Sequence, residues 1–546
     1  MRNLSLSVVI LVCFCLPAAA QQHATAVPDP KTDAWIPDLG NGRYKNPVIF
    51  ADYSDPDVCR VGKDYYLVAS SFDAVPGLPI LHSRDLVNWT LIGHALTMQP
   101  PFLHFSKTQH GNGVWAPAIR FHDDSFYIYY PDPDFGIYLV KARNPAGPWT
   151  KPVLVKAGKG LIDPCPLWDD DGQLYLVHAF AGSRAGIKSV VAIAKLNKAG
   201  TRFQGQGVIV YDGHGTDPTI EGPKLYKRDG YYYIFAPAGG VPEGYQLVLR
   251  SKNIYGPYER KVVMEQGTSD INGPHQGAWI TTPDGKQDWF IHFRDMEAYG
   301  RVTYLEPMKW VHDWPVIGVD KNGDGTGEPV NEYVKPAVGG SQPVAVPATT
   351  DEFNGTRLGL QWQWQANPRG TWSFMTHEAL RLYAQPYQGG HRNYWDVPNV
   401  LMQKFPAEAF TATARLTFHA LNDGDRAGLI VMGADYATLS LTRTGSGLEL
   451  SYATCKKADK DSAEESTSLE VSQDSTLYLR VTVNKGARCS FSYSKDGAHF
   501  TPAGGEFQAV PGRWIGAKLG LYCNSIKQTN DCGFVDIDWF RVRPLP

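Results

Sequence analysis

Apolar segments of strand length, rich in aromatic residues, recur through the first 330 residues, and short polar signatures precede them. The signatures are marked by Asp55, Trp115, Asp163, Glu221 and His275, which lie 60, 48, 58 and 54 positions apart. That spacing is about the length of one four-stranded blade. The pattern therefore predicts an all-β fold in which the first part of the chain forms a β-propeller.

The sequence after a signature repeats one order: a short strand, a turn rich in Asp and Gly, and an aromatic strand. After Asp163, for example, residues 166–168 are followed by the turn 169–172 and by the strand pattern Leu174–Val177. Turns of this composition favour antiparallel hairpins. No segment shows a convincing amphipathic helix, which is typical of an all-β chain.

Three of the five signatures carry a carboxylate. Equivalent positions on the innermost strands of a propeller converge on one axis. We therefore expect Asp55, Asp163 and Glu221 to meet there, although they are spread over 167 positions of sequence. An isolated Asp-Pro step is usually a turn opener. Here the acids recur at the same place in the repeat, which favours one shared site over three separate turns.

The repeat ends before the last third of the chain. Residues 336–350, rich in Pro, Ala and Gly, predict a linker after a propeller over residues 44–335. Residues 351–546 show alternating strand patterns such as Phe410–Leu416 and Leu477–Val483, which are typical of an antiparallel β-sandwich. No clustered acids and bases stand out in that half, so the chemistry is predicted to lie in the propeller.

The N-terminus has the features of a secretory signal. Arg2 precedes the apolar run Val8–Leu16, and Ala18–Ala20 form a small-residue cleavage site. We expect residues 1–20 to be removed, residues 21–43 to form an N-terminal extension, and the mature protein to be periplasmic or extracellular. The run is too short to span a bilayer and no later stretch is apolar enough, so no membrane insertion is expected.

Composition narrows the range of partners. A net charge of −3 without basic runs argues against nucleic acid. The 15 Trp and 28 Tyr suit a carbohydrate-binding protein, although propellers and sandwiches are rich in aromatic residues in any case. In an exported chain, two cysteine pairs are candidates for disulfides, Cys523 with Cys532 and Cys455 with Cys489.

Three convergent carboxylates match the chemistry of glycosidic bond hydrolysis. One carboxyl group protonates the leaving oxygen, and a second activates water or attacks the sugar. A third, placed close by, keeps the acid protonated near neutral pH. Trp115 suits sugar stacking or a pocket wall, with core packing as the alternative. His275 either ligates an axial metal directly or through water, or fills the channel with hydrogen bonds.

At these residues the chain resembles glycoside hydrolase family 43, in the group that carries a C-terminal β-sandwich. The resemblance rests on an ordered set of motifs that extends over nearly the whole mature chain. The motifs are Asn46–Ile49, Ser54–Arg60, Pro76–Ile80, His82–Trp89, Val114–Pro117 and Asp313–Gly318. The resemblance implies a five-bladed β-propeller followed by the sandwich, inversion of anomeric configuration, and action on arabinofuranosides or xylosides.

The resemblance also implies roles for the three acids. Asp55 matches the general base, Asp163 the residue that tunes the pKa and orients, and Glu221 the general acid. One departure is Asp57, which follows Pro56 where many relatives have Ser. This extra acid leaves the base assignment open between Asp55 and Asp57, and Asp55 is preferred because it aligns with Asp163 across the two Asp-Pro steps.

Four further side chains are candidates for the surroundings of the substrate. Arg301, in the segment Tyr299–Val302, matches a substrate-binding arginine. Trp115 and Phe72 are the other candidates for substrate binding. His275 matches a histidine that many family members place on the axis, often beside calcium. Structural calcium is therefore the one cofactor expected, with no organic cofactor.

The sequence thus predicts an exported, exo-acting, inverting glycosidase. It is expected to release terminal α-L-arabinofuranose, or β-D-xylose, from plant hemicellulose such as xylan, arabinoxylan or xyloglucan. A β-1,4-xylosidase is the alternative main activity. A fructan-cleaving propeller enzyme would have Asn, Arg and Cys where this chain has Ser54, Ile162 and Gly222. A non-catalytic carbohydrate-binding propeller is the remaining alternative, and the intact trio of acids argues against it.

Overall fold

The computed structural model describes residues 33–387 and 392–545. The predicted signal, residues 1–20, lies outside the described residues, as do residues 21–32 of the predicted extension. Within the described ranges the one α-helix is α1 (Gly182–Ala185), and no helix is long and apolar enough to cross a membrane. Short 3₁₀ helices span His104–Ser106, Glu297–Tyr299 and Ala458–Lys460.

Five antiparallel four-stranded sheets form a five-bladed propeller, which confirms the predicted fold. A short strand, β1 (Arg43–Lys45), precedes them. Blade 1 contains β2 (Asp57–Val61), β3 (Asp64–Val68), β4 (Gly77–Ser83) and β5 (Thr90–Leu96). Blade 2 contains β6 (Ala118–His122), β7 (Ser125–Asp132), β8 (Gly136–Ala142) and β9 (Val153–Ala157). Blade 3 contains β10 (Leu161–Trp168), β11 (Leu174–Phe180), β12 (Val190–Leu196) and β13 (Phe203–Asp212).

The last two blades follow the same plan. Blade 4 contains β14 (Lys224–Arg228), β15 (Tyr231–Ala238), β16 (Tyr245–Ser251) and β17 (Glu259–Met264). Blade 5 contains β18 (His275–Thr281), β19 (Asp288–Asp295), β20 (Arg301–Val311) and β21 (Trp314–Ile317). β1 then pairs with β22 (Glu332–Val334), and Ile49 and Thr303 exchange backbone hydrogen bonds of 3.3 and 3.1 Å. These pairings join the N-terminal segment to the end of the propeller.

The C-terminal part is a β-sandwich, as predicted. Its strands are β23 (Gln363–Trp364), β24 (Ser373–Met375), β25 (Leu380–Tyr383), β26 (Gln385–Pro386), β27 (Leu401–Lys404), β28 (Phe410–His419), β29 (Arg426–Met432), β30 (Tyr436–Thr444), β31 (Gly447–Cys455), β32 (Glu465–Ser472), β33 (Thr476–Asn484), β34 (Arg488–Ser494), β35 (Thr501–Gln508), β36 (Lys518–Ser525) and β37 (Phe534–Pro544). One sheet has the order β23-β27-β36-β29-β30-β31-β32, with β26 also on β36, and the other has the order β24-β25-β37-β28-β33-β34-β35. Every second residue of β33 is buried, which is how a strand with one face on the core alternates.

Neither predicted disulfide is present, and the six cysteines of the described residues are free thiols. Cys455 ends β31 in one sheet, whereas Cys489 lies in β34 of the other. The two residues thus belong to different sheets, and the structure does not bring their sulfurs together. Cys523 packs in the core between the sheets, while the Cys532 sulfur lies 3.7 Å from the side-chain amide of Gln385.

The innermost strands of the five blades share one register, which defines two sets of equivalent residues. The first set is Ser54, Trp115, Ile162, Glu221 and His275. The second set, three positions later in each blade, is Asp57, Ala118, Cys165, Lys224 and Ala278. Residues of one set lie at the same height along the axis, so the register decides which side chains meet.

Two residues intervene between these sets in each blade, and they contain the acidic positions of blades 1 and 3. Asp55 and Asp163 have left-handed backbone conformations, with φ of 54° and 56°, and the equivalent residue of blade 4 is Gly222, with φ of 60°. The expectation that the three acids occupy the same place in the repeat is therefore wrong for Glu221, which precedes that place by one residue. Asp residues tolerate this backbone better than most side chains, and Gly adopts it freely.

Below the acids, Asp57 and Lys224 of the second set form a buried ion cluster with Arg120. Asp57 and Lys224 are both fully buried, with Nζ of the lysine 3.9 Å from Oδ1 of the aspartate. Arg120 Nη1 and the Ile119 backbone N–H donate to Oδ2 of Asp57 at 2.6 and 2.7 Å. Asp57 is thus committed to two cations, which supports Asp55 as the acid available for catalysis.

Removal of the Asp57 carboxylate should destabilise the propeller strongly. In Asp57→Ala, the cations of Arg120 and Lys224 would remain buried without their anion, which costs about 3–5 kcal/mol of unfolding free energy. Urea or thermal denaturation measures the loss. The control is Asp170→Ala, because that carboxylate is 87% exposed in its ion pair with Lys227 and should contribute less than about 1 kcal/mol. Equal losses in the two variants would contradict the role of the cluster.

Candidate active site

The structure brings Asp55, Asp163 and Glu221 to the same end of the axis, from blades 1, 3 and 4. Asp55 and Asp163 are 4% and 3% exposed, whereas the side chain of Glu221 is 28% exposed. The backbone N–H of Gly222 donates to Oδ2 of Asp163 at 2.7 Å, and this bond connects Asp163 to the segment that carries Glu221. Glu221 is therefore the acid nearest to solvent, above the two aspartates.

Burial and neighbouring charge control the protonation of Asp163. Its burial, followed by the charge of Glu221, raises the pKa of Asp163 to about 7. The hydrogen bond from Gly222 and the charge of Lys224 lower that pKa only in part. Asp163 therefore holds a proton near neutral pH that an isolated carboxylate would lose.

Asp55 is held through both of its carboxylate oxygens. The hydroxyls of Ser54 and Ser70 donate to Oδ2 at 2.8 and 2.5 Å. Arg301 Nη1 donates to Oδ1 at 3.1 Å and also to the Ser54 hydroxyl at 3.1 Å. Arg301, a predicted substrate-binding residue, thus contacts the predicted base directly. These hydrogen bonds fix the orientation of the carboxylate.

Glu221 is held from blade 5 by His275. Nε2 of the imidazole lies 3.0 Å from Oε1 of Glu221, and His275 is only 1% exposed. The ring of Phe293 packs against the imidazole at a centroid distance of 5.6 Å. His275 and Glu221 belong to the same set of equivalent residues on adjacent blades, which explains why they meet.

Aromatic and polar side chains form the rim above the acids. Trp115 is fixed by its indole N–H, which donates to the Gly111 carbonyl at 2.8 Å. Trp514 approaches it edge-on at 6.3 Å, and the guanidinium of Arg184 lies over its ring at 5.4 Å. Arg184, from α1, also donates to Asn112 Oδ1 at 2.6 Å. The role of Trp115 in the substrate site stays a prediction, and no repeat motif indicated its contact with Arg184.

The sandwich contributes directly to this site, which the sequence did not reveal. Trp514 lies in a loop before β36, with the Arg301 guanidinium 5.7 Å from its ring, and is half exposed. Asp52 fixes the approach, since Oδ1 accepts from the Arg301 backbone N–H at 3.0 Å and Oδ2 from the Gly516 N–H at 2.9 Å. One buried carboxylate thus joins the propeller, the sandwich loop and the arginine that contacts Asp55.

Phe72 lies deeper than its predicted role in substrate binding suggested. It is 3% exposed, with a left-handed backbone of φ 51°. Its N–H donates to the Val114 carbonyl at 2.9 Å, and the Val114 N–H returns a bond of 3.0 Å. These bonds position the segment that carries Trp115. A direct contact between Phe72 and substrate stays a prediction.

Two family models match the chain over most of its length. Residues 44–315 match the model described as glycosyl hydrolases family 43. Residues 350–543 match the β-xylosidase C-terminal concanavalin A-like domain. The chain belongs to glycoside hydrolase family 43. This membership confirms the resemblance and sets aside the fructan-cleaving alternative.

Relatives of this family 43 enzyme share both of its domains. A putative β-xylosidase from Xylanibacter ruminicola is 38% identical over 88% of this chain and 86% of its own. A non-reducing end α-L-arabinofuranosidase from Bacteroides ovatus is 29% identical over 93% of this chain and 96% of its own. The crystal structure of a family 43 protein from Bacillus licheniformis, 26% identical, has a TM-score of 0.79 and covers 92% of this chain and 100% of its own.

The predicted calcium site beside His275 depends on which ligand atoms the surrounding side chains provide. Calcium prefers about six to eight oxygen ligands, and the described residues contain no group of three or more His, Cys, Asp or Glu suited to a metal. Nδ1 of His275 is buried and has no hydrogen-bond partner there, while Nε2 faces Glu221. A single imidazole nitrogen is not the oxygen-rich ligand set that calcium prefers. The described residues therefore form no calcium cage beside His275, and calcium at this place stays a prediction.

The raised pKa of Asp163 should be visible in the stability of the protein. A carboxyl whose pKa rises on folding, here from 3.8 to about 7, stabilises the fold at low pH and loses that contribution as the pH rises through 7. Asp163→Asn cannot ionise. Relative to the variant, the wild type should lose about 3–4 kcal/mol between pH 4 and pH 8.

Denaturation of the two proteins at several pH values measures this difference. The pKa of Asp132 is also raised to about 7, mainly by burial, but its contribution is common to both proteins and cancels. Parallel stability curves for wild type and Asp163→Asn would contradict the assignment.

Loss of the Trp514 ring should impair the site without unfolding the sandwich. Trp514→Ala removes a half-exposed ring from Trp115 and Arg301, so kcat/KM on small glycosides should fall about tenfold, the equivalent of about 1.4 kcal/mol. The unfolding free energy should change by less than about 0.5 kcal/mol. Phe374→Ala, which removes an exposed ring of the sandwich in β24, is the control and should retain full activity. Unchanged kinetics for Trp514→Ala would place the sandwich outside the site.

Proposed function

We propose that this family 43 enzyme is an exo-acting, inverting glycosidase that releases terminal α-L-arabinofuranose or β-D-xylose from plant hemicellulose such as xylan, arabinoxylan or xyloglucan. The supporting observation is the trio of acids at one end of the axis, with Asp55 and Glu221 on the non-adjacent blades 1 and 4 and Asp163 on blade 3. Inverting enzymes separate acid and base by about 6.5–9.5 Å, which leaves room for a water.

The environments of the acids support different roles. Asp55, bonded to Arg301 and two hydroxyls, is suited to remain ionised and to take a proton from water. Glu221 is the most exposed of the three and is suited to reach the leaving oxygen. Asp163 interacts with the charge of Glu221 and is suited to help retain the proton that Glu221 donates.

A pocket closed on one side accounts for exo action. The aspartates lie at the bottom, where they are nearly inaccessible, and the half-exposed Trp514 lies above them with Trp115. In this proposal a terminal sugar binds between the two tryptophans and the acids, and the rest of the substrate chain leaves past Trp514. A polysaccharide running across the site would have to pass the sandwich loop that carries Trp514.

The choice between the two sugars has support on both sides. The relative from Bacteroides ovatus is named an α-L-arabinofuranosidase, and that from Xylanibacter ruminicola a putative β-xylosidase. β-1,4-Xylosidase activity is the second candidate for the main activity. It is supported by the higher identity to the Xylanibacter ruminicola relative and by the description of the C-terminal family model. Purified enzyme assayed on aryl α-L-arabinofuranoside and aryl β-D-xyloside distinguishes the two.

Export and calcium are part of the same proposal. The N-terminal run Val8–Leu16 and its cleavage site support export to the periplasm or beyond. N-terminal sequencing of the mature protein should find it starting at Gln21. Calcium on the axis would be bound through water, and the buried His275 beside Glu221 would hydrogen-bond a water ligand of the ion. Elemental analysis should then find calcium, and His275→Ala should lower activity with the fold retained.

The stereochemical prediction is that the first sugar released has the inverted anomeric configuration. Placement of acid and base on separated blades, with water between them, leads to a single displacement. Proton NMR during the first turnovers of an aryl arabinofuranoside or xyloside measures the anomer before mutarotation. A retained anomer would exclude the proposed mechanism.

Leaving-group chemistry should separate the acid from the base. A general acid matters most when the departing oxygen is basic, and least for an activated aryl group. Glu221→Gln should therefore lose most of its rate on arabinoxylan oligosaccharides and keep far more on a dinitrophenyl glycoside. Asp55→Asn should be impaired by about 10³-fold or more on both. Equal losses for Glu221→Gln on both substrates, with chemistry limiting the rate, would assign the acid elsewhere.

A further inference from the structure

The hydrogen bonds around Asp55 determine more than its orientation. We infer that Ser70 is a positioning residue for the base: with Ser54 it occupies Oδ2 of Asp55, so that Oδ1 is the oxygen that takes the proton from the attacking water. This inference rests on the proposed role of Asp55 as general base. It assigns a function to a serine that lies outside every motif of the sequence analysis.

The lone pairs of the Asp55 carboxylate decide which of its two oxygens can accept a proton from water. An ionised carboxylate only accepts hydrogen bonds, with about two sites on each oxygen. Oδ2 of Asp55 accepts from the Ser54 and Ser70 hydroxyls at 2.8 and 2.5 Å, which fills both of its sites. Oδ1 accepts from Arg301 Nη1 at 3.1 Å. Among the contacts of the described residues, one site on Oδ1 therefore remains for water.

Backbone and side-chain hydrogen bonds place the two serines beside Asp55, and Arg301 orients one of the two hydroxyls. Arg301 Nη1 donates to the Ser54 oxygen at 3.1 Å, so the Ser54 hydrogen is directed to the carboxylate. Ser70 follows β3 and is 2% exposed, and its backbone N–H donates to the Ser54 carbonyl at 2.9 Å. This backbone bond fixes the two serines to each other, at the point where the chain enters β2 and leaves β3.

The proton balance of the step is complete with water as the only other reactant. One O–H bond of the water breaks and its proton goes to Oδ1 of Asp55, while the water oxygen forms a bond to the anomeric carbon. The glycosidic C–O bond breaks, and the leaving oxygen takes the proton of Glu221. Asp55 ends protonated and Glu221 ionised, and exchange with solvent restores both.

Loss of the Ser70 hydroxyl should therefore change the titration of the reaction and not only its rate. Two charge-assisted O–H donors favour the ionised base. In Ser70→Ala, the acidic limb of the kcat/KM profile should move to higher pH by about one unit, and kcat at the optimum should fall about tenfold. KM should change little, because Ser70 is placed behind the base and not against the sugar.

The neighbouring residue offers a matched control. Ser71 is also buried, but its hydroxyl accepts from the Leu78 N–H at 3.1 Å and has no bond to Asp55. Ser71→Ala should keep the wild-type acidic limb even if it loses stability. Ser70→Thr retains a hydroxyl and should keep the limb near its wild-type position. Ser54→Ala, which acts on the same oxygen, should move the limb upward and serves as the second test if Ser70→Ala fails to fold.

The outcomes separate this inference from the proposed function. An inactive Asp55→Asn together with an unshifted acidic limb in both folded Ser70→Ala and folded Ser54→Ala would overturn the inference and leave the base assignment standing. An equal shift in Ser71→Ala would also overturn it, because the effect would then be one of local packing. An active Asp55→Asn would overturn the proposed base, and the inference with it.

Discussion

Negative charge collected on the propeller axis has to be neutralised where it lies, and the arrangement of the site depends on that requirement. The carboxylates of Asp55, Asp57 and Asp163 are buried, and an unpaired buried charge is costly. Asp57 is neutralised by Arg120 and Lys224, and Asp55 by Arg301. Asp163 forms no ion pair among the described residues, and it is the acid of the trio whose pKa is raised by burial.

The register of the inner strands turns this balance into chemistry. One set of equivalent residues contributes Glu221 and His275, and a set three positions deeper contributes Asp57 and Lys224. The left-handed residues between them carry the buried carboxylates of Asp55 and Asp163. Strained backbone of this kind is found where function compensates for its cost. The position of each residue along the axis thus decides its surroundings: Glu221 lies near solvent, and Asp55 lies closer to the ion cluster.

Much of the fold was predictable because its information is local. Hairpin turns, aromatic strands and a repeat of regular length indicate a propeller without knowledge of any contact. The offset of Glu221 was also within reach, because Gly222-Pro223 aligns with Asp55-Pro56 once the prolines are matched. Glu221 directly precedes the Gly222-Pro223 step, so its carboxylate lies one position before the aspartates of the two Asp-Pro steps.

Contacts between distant segments were not predictable from one sequence. Trp514 lies 213 positions from Arg301, in a half of the chain without a repeat, and nothing local marks it as part of a pocket. The Cys455–Cys489 candidate failed for a related reason, since the sheet that holds each of these two cysteines depends on the whole sandwich topology. Ser70 was missed because a serine after a strand is common, and its importance appears only when Ser54 and Asp55 are in place.

The double hydrogen bond of Asp52 has a consequence for how such enzymes are inherited and engineered. Because one carboxylate anchors both Arg301 in blade 5 and Gly516 in the sandwich, the two domains are not interchangeable modules. A propeller transplanted alone, or fused to a foreign sandwich, would lose the partner that keeps Asp52 in place beside Arg301. Recombination between such enzymes would therefore have to exchange the 512–517 loop together with the segment around Asp52. These two segments must be inherited together although they are far apart in sequence.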